Sequence, residues 1–152
     1  MTTATVLLAA CLVLAAAGAS WDLKVRRIPN WLCLLLALAA GLYAWTAAGE
    51  HGLLWGAVHA AIALAVGIGL FALGVIGGGD AKFYSAAALA VPLQAGFVLL
   101  GWTSAAGIVL LIVLVVGKLL FSKTGRSLRE MRKMQVPYGV AIAAGFALTA
   151  FA

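Results

Sequence analysis

Long apolar runs, broken only by short clusters of glycine, proline and charge, decide what this chain can fold into. The run Phe97–Leu120 carries one charged residue, Lys118. A stretch that long with so little charge reads as a membrane-spanning helix. The whole chain is 66% hydrophobic and 9% charged, against roughly a quarter charged in soluble domains. Its mean hydropathy is +1.17. A water-soluble fold and a disordered chain are both excluded, which leaves an integral membrane protein. At ~20 residues per span, the 152 residues hold five or six helices and no separate soluble domain. A single membrane domain over 1–152 is expected.

The runs predict an all-α bundle of six hydrophobic segments. These are Thr3–Trp21, Trp31–Ala48, Leu53–Ile76, a short fourth at Ala81–Val91 stopped by Pro92, Phe97–Leu120 and Tyr138–Ala152. The first could pass for a secretory signal, and Leu8-Ala9-Ala10-Cys11 for a lipoprotein cleavage site. Both need a basic start, and Met1 to Ala10 has no Lys or Arg. The segment is expected to stay as a first span.

Charge is segregated. All ten Lys and Arg fall in the odd-numbered loops, and the even ones, around Glu50-His51 and Pro92–Gly96, have none. The positive-inside rule then places the odd loops in the cytoplasm and both termini opposite. The net charge of +6 is confined to short loops, so it points to an anionic membrane surface rather than nucleic acid. In the loop Lys118–Lys133, Leu128, Met131 and Met134 lie opposite Arg129, Arg132 and Lys133. That pattern predicts an amphipathic helix resting on anionic lipid.

The fourth segment is anomalous. Its length gives roughly 16 Å of helix, about half of the ~30 Å hydrocarbon core. The preceding Gly74–Asp80 should therefore dip into the membrane, as an irregular, partly wet loop held inside the bundle. The GxxxG at Gly52–Gly56 is assigned to packing within the chain.

Two of the four acidic residues share this setting. Asp22 closes the first segment and Asp80 follows Gly77-Gly78-Gly79. Carboxylates beside apolar spans are rare and usually functional. Structural roles compete: Asp22 can pair with Lys24 or Arg26, and Asp80 can cap the helix it precedes. Together in one compartment they suggest a carboxylate pair sharing one proton, one acting as base on water and the other as acid. The glycine loop is not a phosphate cradle, because Asp80 stands where a P-loop has lysine. Gly79, next to Asp80, is expected to tolerate a side chain less well than Gly77.

Other candidates are weaker. Cys11 and Cys33 lie in apolar runs without zinc-site spacing. His51 and His59 have no ligand cluster around them, so no metal is expected. Asn30 reads as the N-cap of the second segment, and Lys82 as an interfacial anchor or a partner of Asp80. The tryptophans sit mostly near span ends.

Gly77-Gly78-Gly79-Asp80-Ala81-Lys82 resembles the G-x-G-D-x-K signature of type IV prepilin peptidases, the GxGD intramembrane aspartyl proteases. Asp22, Arg26 and Ile28-Pro29-Asn30 resemble the family's first-aspartate motif, and Pro137-Tyr138-Gly139 the start of its last helix. The resemblance implies Asp22 and Asp80 as the catalytic pair, with Gly77, Gly78, Gly79, Lys82, Pro29 and Asn30 supporting or contacting substrate. It implies cleavage of a basic leader from prepilin precursors at the cytoplasmic face of the bacterial inner membrane, without a cofactor. Many members also carry a cytoplasmic insert with paired Cys-x-x-C motifs and methylate the new terminus. This chain lacks that insert and resembles the short branch of the tight-adherence, Flp-type pili, so methyl transfer is not expected. The rival reading is a transporter or channel subunit whose carboxylates bind ions or protons. It predicts acidic residues in mid-span, which are absent here.

Overall fold

The computed structural model describes residues 2–121 and 136–152. Every regular element among them is helical: α1 Thr3–Val25, α2 Asn30–Ala72, α3 Gly78–Ala88, a 3-10 turn Leu93–Ala95, α4 Gly96–Phe121 and α5 Tyr138–Phe151. Among the described residues three helices are long and apolar enough to cross a membrane: α1, α2 and the run Leu93–Lys118. The shorter α5 is also apolar. Large apolar side chains such as Ile108, Ile112 and Val116 stand exposed on α4. That surface suits hydrocarbon rather than water. These features fit a multi-pass membrane protein. The expected lipid-bound helix at Leu128–Met134 lies outside the described residues.

The expected count of six separate segments is corrected. The second and third are one element, α2, whose helical angles fail only at Ala48 and Gly49, with Gly49 at φ 61°. Straight, its 43 residues would reach roughly 64 Å, twice the hydrocarbon core. Instead it folds back at the break. Asn30 near its start and Gly67 near its end both meet the first turn of α3, at Lys82 and Ala81. Gly41 and Gly56, one on each arm, both meet Leu89. Two residues make the reversal, so no loop separates the arms. The GxxxG glycines work inside the chain: Gly52 faces Ala44 and Ala48, and Gly56 lies against the Leu89 carbonyl.

Other boundaries move for local reasons. α1 continues one turn past Trp21, to Val25, and stops where Arg26 turns left-handed at φ 57°. Pro29, not Asn30, is the N-cap of α2, in extended backbone that suits proline. α2 ends at Ala72 rather than Ile76. There Gly74 takes φ 72°, its N–H reaches the Phe71 carbonyl, and the Val75 N–H reaches Leu70. That is a Schellman stop, which needs a residue free to adopt positive φ.

The short α3 is the centre of the bundle. Ala81, Phe83, Ser85, Ala86, Ala87 and Ala88 are all buried. It lies along the second arm of α2, where Gly67 leaves room for Ala81 and the Ser85 hydroxyl donates to the Ala60 carbonyl at 2.7 Å. At its far end the His59 ring pairs with the Val91 carbonyl at 2.8 Å, satisfying a backbone group that apolar surroundings would otherwise leave unpaired. On its other side Phe83, fully buried, fills the space over Gly18 of α1.

Candidate active site

The buried residues of α1 are Cys11, Ala15, Gly18 and Asp22, one stripe at helical spacing. Small residues bring α1 close to its neighbours, and the stripe ends on a carboxylate. On α3, Asp80 stands one turn from Phe83 on the same face. Phe83 packed onto Gly18 therefore fixes the two helices one turn away from both aspartates. A Cβ on Gly18 would come within 2.5 Å of the Phe83 ring. The approach that sets the aspartates thus depends on that glycine.

Asp22 is only 6% exposed. Its Oδ2 accepts a 2.9 Å hydrogen bond from the N–H of Gly139. Gly139 lies in the first turn of α5, where backbone N–H groups have no helical partner and the helix dipole favours negative charge. Asp80 Oδ2 accepts from the N–H of Gly77 at 3.1 Å, from the third position of its own helix. That is the reach-back half of a capping box. The expected N-cap role of Asp80 is thereby corrected: Gly77 is the N-cap, and Asp80, inside the first turn of α3, reaches back to it while it lines the site.

The two carboxylates line one cavity of about 690 Å³, shared with Asn30, Tyr138 and the glycine segment 74–79. Asp80 heads α3, outside the three spanning helices. Burial first, and then the charge of Asp22, push its carboxyl up from 3.8 to about 6, against the opposing pull of the Gly77 N–H. Two acidic groups so placed can share a proton, the arrangement that suits acid–base activation of water.

The remaining candidates divide. Gly77, Gly78 and Gly79 all line the cavity. The expected irregular triple-glycine loop is corrected, since Gly78 and Gly79 already belong to the first turn of α3. None of the three takes positive φ; among the described residues the left-handed glycines are Gly49 and Gly74. Lys82 does not itself line the cavity. It donates to Oδ1 of Asn30, which does, at 3.1 Å, tying the start of α2 to α3. Asn30 is therefore an acceptor for Lys82 and not a helix cap. Pro29 shapes the α1–α2 turn, which Trp21 and Trp31 brace in an edge-to-face contact at 5.9 Å. Among the described residues no group of three or more His, Cys, Asp or Glu is placed to hold a metal ion.

Gly139 has no side chain to mark it as a site residue: Pro137-Tyr138-Gly139 signals a helix start in the sequence, but not what that start touches.

The sequence model of the type IV leader peptidase family matches residues 6–121, a span that includes both aspartates. The chain belongs to that family. No curated protein and no solved structure matches it. Family membership makes the protein a leader peptidase-like protease.

Proposed function

We propose that the protein is an aspartyl endopeptidase that removes the short basic leader from Flp-like type IV prepilins. The observation that carries this reading is the single cavity lined by both Asp22 and Asp80 in a chain of the leader peptidase family. In the proposed step, water lies between the carboxylates. Asp22, held by the Gly139 N–H, takes a proton from the water as it attacks the scissile carbonyl. Asp80, which keeps its proton up to about pH 6, gives it to the carbonyl oxygen. The tetrahedral gem-diol then collapses: the C–N bond breaks, the proton on Asp22 goes to the departing amine, and a gem-diol hydroxyl returns its proton to Asp80, which leaves the new carboxyl product and restores the pair. Neither a metal nor a covalent intermediate enters.

The site is placed at the cytoplasmic face of the bacterial inner membrane. Support comes from the charge segregation, since the Lys and Arg fall in or beside the connections read as lying on the side of Asp22 and Asp80, and none falls around Glu50-His51 or Pro92–Gly96. The anionic lipid surface is the proposed partner of the basic loop. Activity is assigned to proteolysis alone, without methyl transfer.

The test is cleavage of a prepilin precursor by purified protein in liposomes. Asp22→Asn and Asp80→Asn should each abolish cleavage while the protein still inserts and folds. Glu50→Gln and Glu130→Gln should cleave as wild type does. Near-wild-type cleavage by either asparagine variant would remove the dyad from the mechanism.

A further inference from the structure

Two main-chain donors beside the aspartates are already engaged. The Gly139 N–H donates to Asp22 Oδ2 at 2.9 Å, and the Gly77 N–H to Asp80 Oδ2 at 3.1 Å. An ionised carboxylate only accepts. A protonated one offers a single O–H, which the proposed step gives to the scissile carbonyl. A peptide entering this cavity leaves water behind, so its other carbonyl oxygens need donors there.

Asn30 supplies such a donor. It is the first residue of α2 and lines the cavity with both carboxylates. Lys82, 52 residues further along the chain, reaches its Oδ1 with Nζ at 3.1 Å. An ammonium has three N–H donors and no acceptor, so the amide oxygen must face Lys82. The amide is thereby held one way round, and its NH2 edge is what remains for the cavity. The positive charge on Oδ1 also draws electron density from Nδ2, which strengthens those N–H donors. Other polar side chains in the lining suit the task less well. The Tyr138 hydroxyl accepts as readily as it donates, and Arg26 and Arg27 carry charge that repels a basic leader.

We propose, resting on the leader peptidase reading, that the Asn30 amide donates a hydrogen bond to a substrate main-chain carbonyl flanking the scissile bond, and that Lys82 is a positioning residue acting through Asn30. The substrate is then gripped by its backbone at this point, so the contact sets register without demanding a particular side chain. The competing role is a tie between α2 and α3. The Lys82–Asn30 bond alone meets it, with no donor needed in the cavity.

The experiment uses the full chain in liposomes with synthetic prepilin precursors. In each precursor one carbonyl oxygen near the scissile bond, but not at it, is replaced by sulfur. A thioamide keeps the shape of the chain and accepts more weakly. At one position the replacement should lower kcat/KM of the wild type about tenfold, and that of Asn30→Ala by less than about twofold. Lys82→Met should cost about three- to tenfold alone and nothing further in an Asn30→Ala background. Lys82→Arg, which keeps a donor, should recover most of that loss. Asn30→Asp keeps the acceptor for Lys82 and discards the NH2 donors. It should melt close to wild type yet cleave about tenfold more slowly on the plateau of its own pH profile.

Equal thioamide losses in wild type and Asn30→Ala at every position overturn the contact. So does an Asn30→Asp protein that cleaves as wild type does, because the pair would then be a tie only. A Lys82→Met loss that persists in full in Asn30→Ala, or that only moves the pH profile, makes Lys82 a partner of Asp80 and ends its role through Asn30. If the wild-type protein leaves the unmodified precursor uncut, it is the peptidase reading that fails, and the contact loses its substrate with it.

Discussion

Gly77→Ala separates the requirements of the site from those of the fold. Gly77 has φ −76° and ψ 145°, which alanine adopts without strain. The backbone therefore does not object. The side chain does, because a Cβ at this position would lie 2.7 Å from Asp80 Oδ2. Ordinary contact begins at 3.4 Å, so the carboxylate must move by about 0.7 Å or more. That atom is the far end of a flexible side chain, and the fold can let it swing. Alanine is a poorer N-cap than glycine by up to ~1 kcal/mol, while the unfolded chain loses freedom worth ~0.4–1 kcal/mol. The two nearly cancel, so melting should shift little. Chemistry is less forgiving. A misplacement near 1 Å costs on the order of 10²-fold, so cleavage should fall about 10- to 100-fold.

The control is Gly79→Ala. Its Cβ would meet the Ile28 carbonyl oxygen at 3.6 Å, an ordinary contact, and it should cleave near the wild-type rate. This reverses the order expected from sequence, where adjacency to Asp80 made Gly79 the sensitive residue. The assay is the initial rate of prepilin cleavage in liposomes beside thermal melting in detergent for the same preparations. A fully active Gly77→Ala protein would refute the argument, because Asp80 would then work from a position this structure does not give it.

The raised Asp80 carboxyl sets two pH dependences. Asp80 serves as an acid only while protonated, so cleavage should decline as pH rises through about 6. Between 3.8 and about 6 the folded protein holds a proton on Asp80 that the unfolded chain has released, so Asp80 makes stability fall as pH climbs across that window. Asp80→Asn should flatten that part of the melting profile, and a profile identical to wild type would contradict the assignment. Single cysteines at Ser122 and Gln94, in a background lacking Cys11 and Cys33, should label from opposite faces of the membrane, and labelling from one face would overturn the orientation.

Much of this was legible in the sequence because it is written in local terms. Apolar runs identify spans whatever they pack against. Gly-Gly-Gly-Asp before an alanine-rich run marks a helix start, though the N-cap is Gly77 and Asp80 lies three residues inside, reaching back to it. The hairpin in α2 was not legible as it is built. Glu50, His51 and Gly52 look like a loop, yet helix resumes at once after Ala48 and Gly49. Glycine count also misled. Of Gly74, Gly77, Gly78 and Gly79, only Gly74 takes the positive φ that stops a helix. A run of identical residues does not show which one carries the turn.

What remained hidden is the role glycine plays around the aspartates, which is close approach rather than freedom. Gly18, Gly77 and Gly139 all keep negative φ. A Cβ on Gly18 would enter the Phe83 ring, and one on Gly77 would meet Asp80 Oδ2. One on Gly139 would lie 2.9 Å from Asp22 Cβ and 3.0 Å from its Oδ2. Each places one part of the candidate dyad. Gly18 lets α3 settle on α1, Gly77 gives Asp80 a backbone donor, and Gly139 brings the first turn of α5 onto Asp22. Two of these three contacts join distant parts of the chain, with 117 residues between Asp22 and Gly139. No periodicity or motif spacing in a single sequence pairs such residues. The aspartates can be read from their neighbours in sequence, but what holds them at one cavity is a set of missing side chains on three helices.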